Sequence, residues 1–257
     1  MFKRFRIAIL LLILLFVGLG ALLDRFYTKR WNAPFVVALY PINADHSAAS
    51  EQYIDKLTAA DFAPLETFFS DEAREYQLAI DRPIRVTLTP PLNAVPPQPP
   101  VQNPNVLNIM MWSLHLRWWA WRTPPKPPGP TPRIRMFLLF YDPATHPVLD
   151  HSTGLTKGRL GIANLFASRD AAGTNQVVIA HELLHTLGAT DKYDLTNTLP
   201  IFPDGYAEPD ATPRYPQRLA ELMGGRVPVS PTEAIIPDSL ADVVIGAATA
   251  SEIGWQH

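Results

Sequence analysis

The chain has 257 residues, 22 Lys plus Arg against 24 Asp plus Glu, 27 prolines and no cysteine. Zero cysteines exclude a disulfide framework, a thiolate metal site and a cysteine nucleophile together. Six of the basic residues lie in residues 1–30 beside a single acid, Asp24, so the rest of the chain holds 16 basic and 23 acidic residues; an acidic body argues against sequence-independent nucleic-acid binding.

Ile7 to Leu23 is a run of 17 residues without charge, preceded by Lys3, Arg4 and Arg6 and followed by Arg25, Lys29 and Arg30. That length sits at the lower limit for a bilayer-spanning helix. The small-x-small site of a cleavable signal is poorly matched at Val17 to Ala21, so residues 1–30 read as a signal anchor and juxtamembrane segment. Secretion after cleavage is the alternative. A basic head before an apolar run is how export signals begin, which places the body outside the cytoplasm, on the periplasmic or extracellular side.

Residues 31–257 read as one domain. Phe35 to Tyr40 is β-branched and aromatic and predicts a strand ended by Pro41. Ser50 to about Leu78 turns helical, with Ser50 as N-cap and Phe62, Leu65, Phe68 and Phe69 at helical spacing. Arg82 to Thr89 and Arg133 to Tyr141 read as further strands. Between them, residues 90–132 carry 13 of the 27 prolines around an aromatic block with Trp112, Trp118, Trp119 and Trp121. Proline tracts form neither helix nor central strand, so they read as extended connectors. The block predicts a helix capped by Asn103-Pro104, with His115, Arg117 and Arg122 among its polar residues. It reads as a helix packed on the sheet, or as an interfacial membrane helix. Strands and helices in this order predict an α/β or α+β domain, and the reading adopted is α+β.

The informative helix follows. After Thr174 and Asn175 as caps comes Val177 to Gly188, containing His181-Glu182-Leu-Leu-His185. Histidines four apart present both imidazoles on one helical face to a single ion. Glu182 is turned about 100° from His181, where it reaches a metal-activated water without ligating the metal. Gly188 lets the chain leave the helix through positive φ and aim Asp191 at the same ion. Two histidines and an aspartate leave one position open, as catalytic zinc requires. Asp194, three residues on, competes with Asp191 for that role. His115, His146, His151 and His257 read as surface or loop histidines.

His181-Glu182-x-x-His185-x-x-Gly188-x-x-Asp191 resembles the extended zinc motif of the metzincin metallopeptidases, in the aspartate variant of snapalysin-type enzymes. Most of that clan has a histidine as third ligand. The resemblance implies a methionine turn beneath the metal, for which Glu221-Leu-Met223-Gly-Gly225 is the counterpart, with Met223 a soft floor and not a ligand. It implies a zincin-like mixed sheet with an active-site helix and a smaller C-terminal lobe. Arg159 to Ala163 would be the substrate-pairing edge strand and Ser239 to Gly254 the C-terminal helix. The implied function is a membrane-anchored zinc endopeptidase acting on protein or peptide substrates, with Zn2+ held by His181, His185 and Asp191 and Glu182 as general base. An oxyanion-stabilising tyrosine would have to be Tyr193 or Tyr206. Two alternatives stay open: a non-catalytic membrane-attached adaptor with a structural zinc, and a glutamate-ligand zincin using Glu208 or Glu221.

Overall fold

The computed structural model describes residues 31–256 except 101–104, 126, 128, 157 and 158, together with Arg6, Leu12, Leu15 and Gly18. The anchor expected over Ile7 to Leu23 lies outside the described residues but for three positions. Among the described residues no helix is long and apolar enough to cross a membrane.

The fold is α+β, built on a five-stranded mixed sheet. In chain order its elements are β1 (Phe35–Asn43), α1 (Ala48–Ile54), α2 (Ala63–Glu75), β2 (Ile84–Leu88), α3 (Val106–Arg122), β3 (Ile134–Tyr141), β4 (Thr153–Leu155), β5 (Leu160–Phe166) and α4 (Ala172–Leu187). The strand order is β2-β1-β3-β5-β4, parallel throughout except for β4, which runs antiparallel to β5. Strands buried on both faces read as continuous apolar runs, as Phe35–Asn43 and Ile134–Tyr141 do. Alternate residues serve different layers. Val37, Leu39, Met136, Leu138 and Phe140 pack with α2 and α4 on one face. Ala38, Tyr40, Phe137 and Leu139 pack with Leu116 and Ala120 of α3 on the other.

Several boundaries differ from the sequence reading, each for a local reason. Pro41 lies inside β1 and does not end it. Its carbonyl accepts from the Leu92 amide at 2.8 Å, past the last residue of β2, so its missing N–H faces a side where the neighbouring strand has stopped. The first helical cap is Ser47, which accepts from the Ser50 amide at 3.0 Å, while Ser50 is buried within the helix. Asn105 caps α3, accepting from the Asn108 amide at 2.8 Å; the Asn103-Pro104 pair is outside the described residues. The segment Arg159 to Ala163 falls largely in β5, an inner strand, and the edge is instead Thr153–Leu155.

Beyond α4 the chain forms only short elements. β6 (Ala220–Glu221) pairs with β9 (Val243–Val244), β7 (Val227–Pro228) pairs with β8 (Ala234–Ile235), and α5 (Ala247–Ile253) closes the described chain. The helix expected over Ser239 to Gly254 is therefore interrupted. Ser239 caps a single 3-10 turn, Leu240–Asp242, and the β-branched pair Val243–Val244 joins a ladder before Gly246 restarts the helix.

A half-buried carboxylate ties α2 to this last part. Glu72 Oε2 accepts from the Ile245 amide at 2.6 Å, and the Tyr76 hydroxyl donates to the Ile245 carbonyl at 2.6 Å. Burial raises the Glu72 pKa to about 7 against the backbone bond, which favours the anion. With the folded value above the unfolded one, the folded chain keeps a proton that the unfolded chain releases from about pH 4.5 to 7, so stability falls as pH rises through that window. Glu72→Gln keeps the acceptor and removes the charge. It is expected to stabilise the fold by about 1–3 kcal/mol at pH 8, with the gain shrinking towards pH 5, in thermal melts at the two pH values.

Candidate metal centre

The site grows out of one helix and the turn that ends it. Val177, Ile179, Ala180, Leu183, Leu184 and Leu187 bury α4 against the sheet. Asn175 fastens its first turn to β5, accepting from the Phe166 amide at 3.1 Å and donating to the Phe166 carbonyl at 2.8 Å. This leaves His181 and His185, four residues apart, on one face with ring centroids 4.8 Å apart. Gly188 ends the helix at φ 107°, the left-handed region that a glycine enters without strain. The Ala189 amide then caps the Leu184 carbonyl at 3.1 Å, and the chain doubles back towards the helix.

That reversal fixes one imidazole, and a distant turn fixes the other. His185 Nδ1 donates to the Ala189 carbonyl at 2.9 Å, and His181 Nδ1 donates to the Leu222 carbonyl at 2.9 Å. A carbonyl only accepts, so in each neutral ring the proton sits on Nδ1 and Nε2 carries a lone pair. The two Nε2 atoms are 3.1 Å apart, and Asp191 Oδ1 lies 3.1 Å from each. Three lone-pair donors thus form a nearly equilateral triangle with no hydrogen between them. Such an arrangement repels itself unless a cation shares it. Ligands at zinc-like distances in a tetrahedral site stand about 3.3 Å apart, so the triangle fits a metal ion. Ligand atoms of His181, Glu182 and His185 also lie within 4.8 Å of one another, a group that could hold a metal ion.

Without a metal, protons must resolve the conflict. Burial opposes a charged His181, but the Asp191 carboxylate and its other partners outweigh it and raise the His181 pKa. Asp191 loses some of its anionic stability to burial, yet the two histidines hold it well below the usual carboxylate range. Its side chain is 33% exposed against 14% and 16% for the histidines, so the centre opens to solvent on the aspartate side.

Glu182 behaves differently from these donors. It is buried, and its Oε2 has no hydrogen-bond partner among the described residues. Burial raises its pKa to about 7, with both histidines pulling the other way. Edge strand β4 runs directly over it. A Cβ on Gly154 would stand 2.4 Å from His185 Cβ, 2.6 Å from the Glu182 carbonyl and 3.2 Å from Glu182 Oε2, so only glycine allows the strand this close. Thr156 holds the strand there, its hydroxyl donating to the His185 carbonyl at 2.8 Å.

The other sequence candidates stand apart from the triangle. Asp194 folds onto its own loop, Oδ1 accepting from the Thr196 amide at 2.8 Å and hydroxyl at 2.7 Å. Glu208 pairs with Arg218 at 2.6 Å. Glu221 is fully buried and accepts from the Gly224 and Gly246 amides at 2.7 and 3.1 Å and from the Thr249 hydroxyl at 2.6 Å. It fastens the Glu221–Gly225 turn to the start of α5. Met223 is fully buried in that turn, and the adjacent Leu222 carbonyl is the one that orients His181. Tyr206 bonds Tyr215 at 2.8 Å, outside the centre. Tyr193 is at the centre: its ring is 6.3 Å from His181, and burial and the neighbouring Asp191 and Glu182 charges push its phenol up to about 12.

Local motif reading missed a clamp around the aspartate. Glu252 of α5 accepts from the Thr190 amide at 2.9 Å, the Thr190 hydroxyl at 2.6 Å and Lys192 Nζ at 2.8 Å. Lys192 also donates its amide to the Met223 carbonyl at 2.9 Å. The residues on either side of Asp191 are thereby tied to the last helix and to the methionine turn. No spacing rule announces a partner some 60 residues away; the only sequence trace was Thr and Lys flanking the expected ligand. No protein-family model and no curated protein matches the chain.

Proposed function

We propose that the chain is a zinc-dependent endopeptidase of the metzincin type, anchored to a membrane by Ile7 to Leu23 with its catalytic domain outside the cytoplasm. The observation that carries this reading is the pairing of a three-donor triangle with a buried, partnerless carboxylate. A structural metal site has no use for Glu182, whose desolvation destabilises the fold unless it does chemistry. Two imidazoles and one carboxylate are a donor set that suits zinc. Zinc, when bound by His181, His185 and Asp191, supplies a Lewis acid that polarises a carbonyl and acidifies water.

The chain's own residues do the rest. Glu182 takes the proton from the attacking water and passes it to the leaving amine, and its pKa near neutrality suits both transfers. Buried Oε2 beneath β4 keeps that proton shuttle away from bulk solvent. Among the described residues strand β4 is the sheet edge next to β5, the position at which an extended peptide would add as a further strand above Glu182. Among the described tyrosines Tyr193, protonated across the physiological range, would donate a hydrogen bond to charge forming near Asp191. The sheet with a single antiparallel edge, the helix beneath it and the buried methionine turn support the zincin-like reading of the fold.

Elemental analysis of the purified full chain and an assay on an unstructured protein test this reading. One zinc per chain is expected, with cleavage lost on chelation and restored by added zinc. Cleavage that persists after the metal has been stripped would overturn it.

A further inference from the structure

Helix α3 buries almost nothing relative to its composition. Only Leu116 and Ala120 are fully buried in the sheet, with Trp112 and Trp119 partly packed beside them. Along the outer side Leu107, Met110, Met111, Leu114, Trp118 and Trp121 are 51% to 76% exposed. Their spacing of three and four residues makes one continuous apolar ridge down the helix. Single exposed hydrophobes are ordinary, but a ridge of this length on a soluble surface is an interaction site.

Three observations say what covers it. The first is charge. From Arg82 to Tyr141 the sequence has seven basic residues and no acidic one, in a domain whose balance is otherwise strongly acidic. This stretch supplies β2, α3 and β3, so the apolar ridge belongs to a run of sequence that is cationic within an anionic domain. The second is the chemistry of the ridge itself, where Trp118 and Trp121 sit beside Arg122, whose guanidinium lies 5.8 Å from the Trp118 ring. Aromatic residues with adjoining arginines favour the headgroup boundary of a bilayer.

The third is reach. Seven residues separate Leu23, the end of the apolar run, from Trp31, and the eight Cα-to-Cα steps between the two span at most about 26–29 Å when fully extended. Trp31 is fixed in the domain, its indole donating to the Ile253 carbonyl at 2.9 Å and its ring stacked on Phe35. The last turn of α3 lies beside the first half of β1, the strand that Trp31 leads into: Arg135 donates to the Ala120 carbonyl and pairs in register with Ala38. A domain tethered so closely by that end has α3 within reach of the membrane surface.

We infer that the outer ridge of α3 lies in the headgroup region of an anionic bilayer, so that the membrane touches the sheet face opposite α4. This goes beyond the anchor and rests on that part of the proposed function. Because α3 and α4 cover opposite faces of the sheet, the metal centre is turned to the aqueous side. Its substrates are then soluble chains or the water-exposed parts of membrane proteins, and not segments inside the bilayer.

The absence of native cysteine makes a direct test simple. Met110→Cys and Trp118→Cys, with Thr232→Cys as an exposed control, are each spin-labelled in the full chain and reconstituted in vesicles of phosphatidylcholine and phosphatidylglycerol. Collisions with oxygen, enriched in lipid, are compared with those of a water-soluble nickel complex. The oxygen-to-nickel ratio at 110 and 118 is expected to exceed that at 232 several-fold and to fall in vesicles lacking phosphatidylglycerol. Water-like ratios at both α3 positions, in protein that still sediments with the vesicles, would overturn the inference while leaving the anchor intact. Labels shielded from both reagents would also overturn it, since a second copy or another segment of the chain would then cover the ridge. Hydrolysis is not read, so the result is separate from the fate of the peptidase proposal.

Discussion

Glu182→Gln is expected to reduce peptide hydrolysis by about 10²–10⁴-fold, the contribution of a positioned general base, while zinc content stays at one per chain. The substitution preserves shape, which matters because Gly154 leaves 3.2 Å between its would-be Cβ and Oε2. It removes only the ability to take a proton. The three donors of the triangle are untouched, and each imidazole keeps the carbonyl that sets its tautomer. An amide in place of a buried carboxylate also removes a desolvation cost, so the variant should fold at least as stably at neutral pH. The expected loss is therefore in turnover, with the Michaelis constant little changed. Turnover unchanged in a zinc-loaded Glu182→Gln protein would sink the assignment of Glu182 as general base.

The parts of this arrangement that sequence revealed are those encoded at short range. Helical periodicity places His181 and His185 together, and a glycine at position 188 announces the reversal that its φ of 107° carries out. Long apolar runs marked β1 and β3 because buried parallel strands need no polar alternation. What sequence hid depends on partners distant in the chain. The three residues of β4 have no strand signature, and their position follows from pairing with β5 and from the missing side chain at Gly154. Pro41 looks like a strand terminator until the end of β2 is known. Val243–Val244 break a plausible helix only because Ala220–Glu221 lie beside them. The clamp of Glu252 on Thr190 and Lys192 is tertiary from the start.

That clamp bears on the second large effect. Asp191→Ala is expected to weaken zinc binding by about 100-fold or more, beyond what loss of an outer partner of a metal site typically costs. It deletes one vertex of the 3.1 Å triangle and leaves two neutral imidazoles, whose own carbonyl partners remain. Asp194→Ala is expected to leave zinc bound, since that carboxylate is committed to Thr196 and faces its own loop. Glu252→Ala separates ligand identity from ligand placement. All three donors persist, but Thr190 and the buried Lys192 lose their shared acceptor, and the segment carrying Asp191 is released from α5. Affinity is expected to fall about 10-fold to 100-fold, between the two aspartate variants. Competition of each protein against a chromogenic zinc chelator gives the three values in one titration format. Zinc loss at Asp194→Ala with retention at Asp191→Ala would reverse the ligand assignment. Wild-type affinity in Glu252→Ala would mean that the Gly188 reversal alone is enough to hold the aspartate in place.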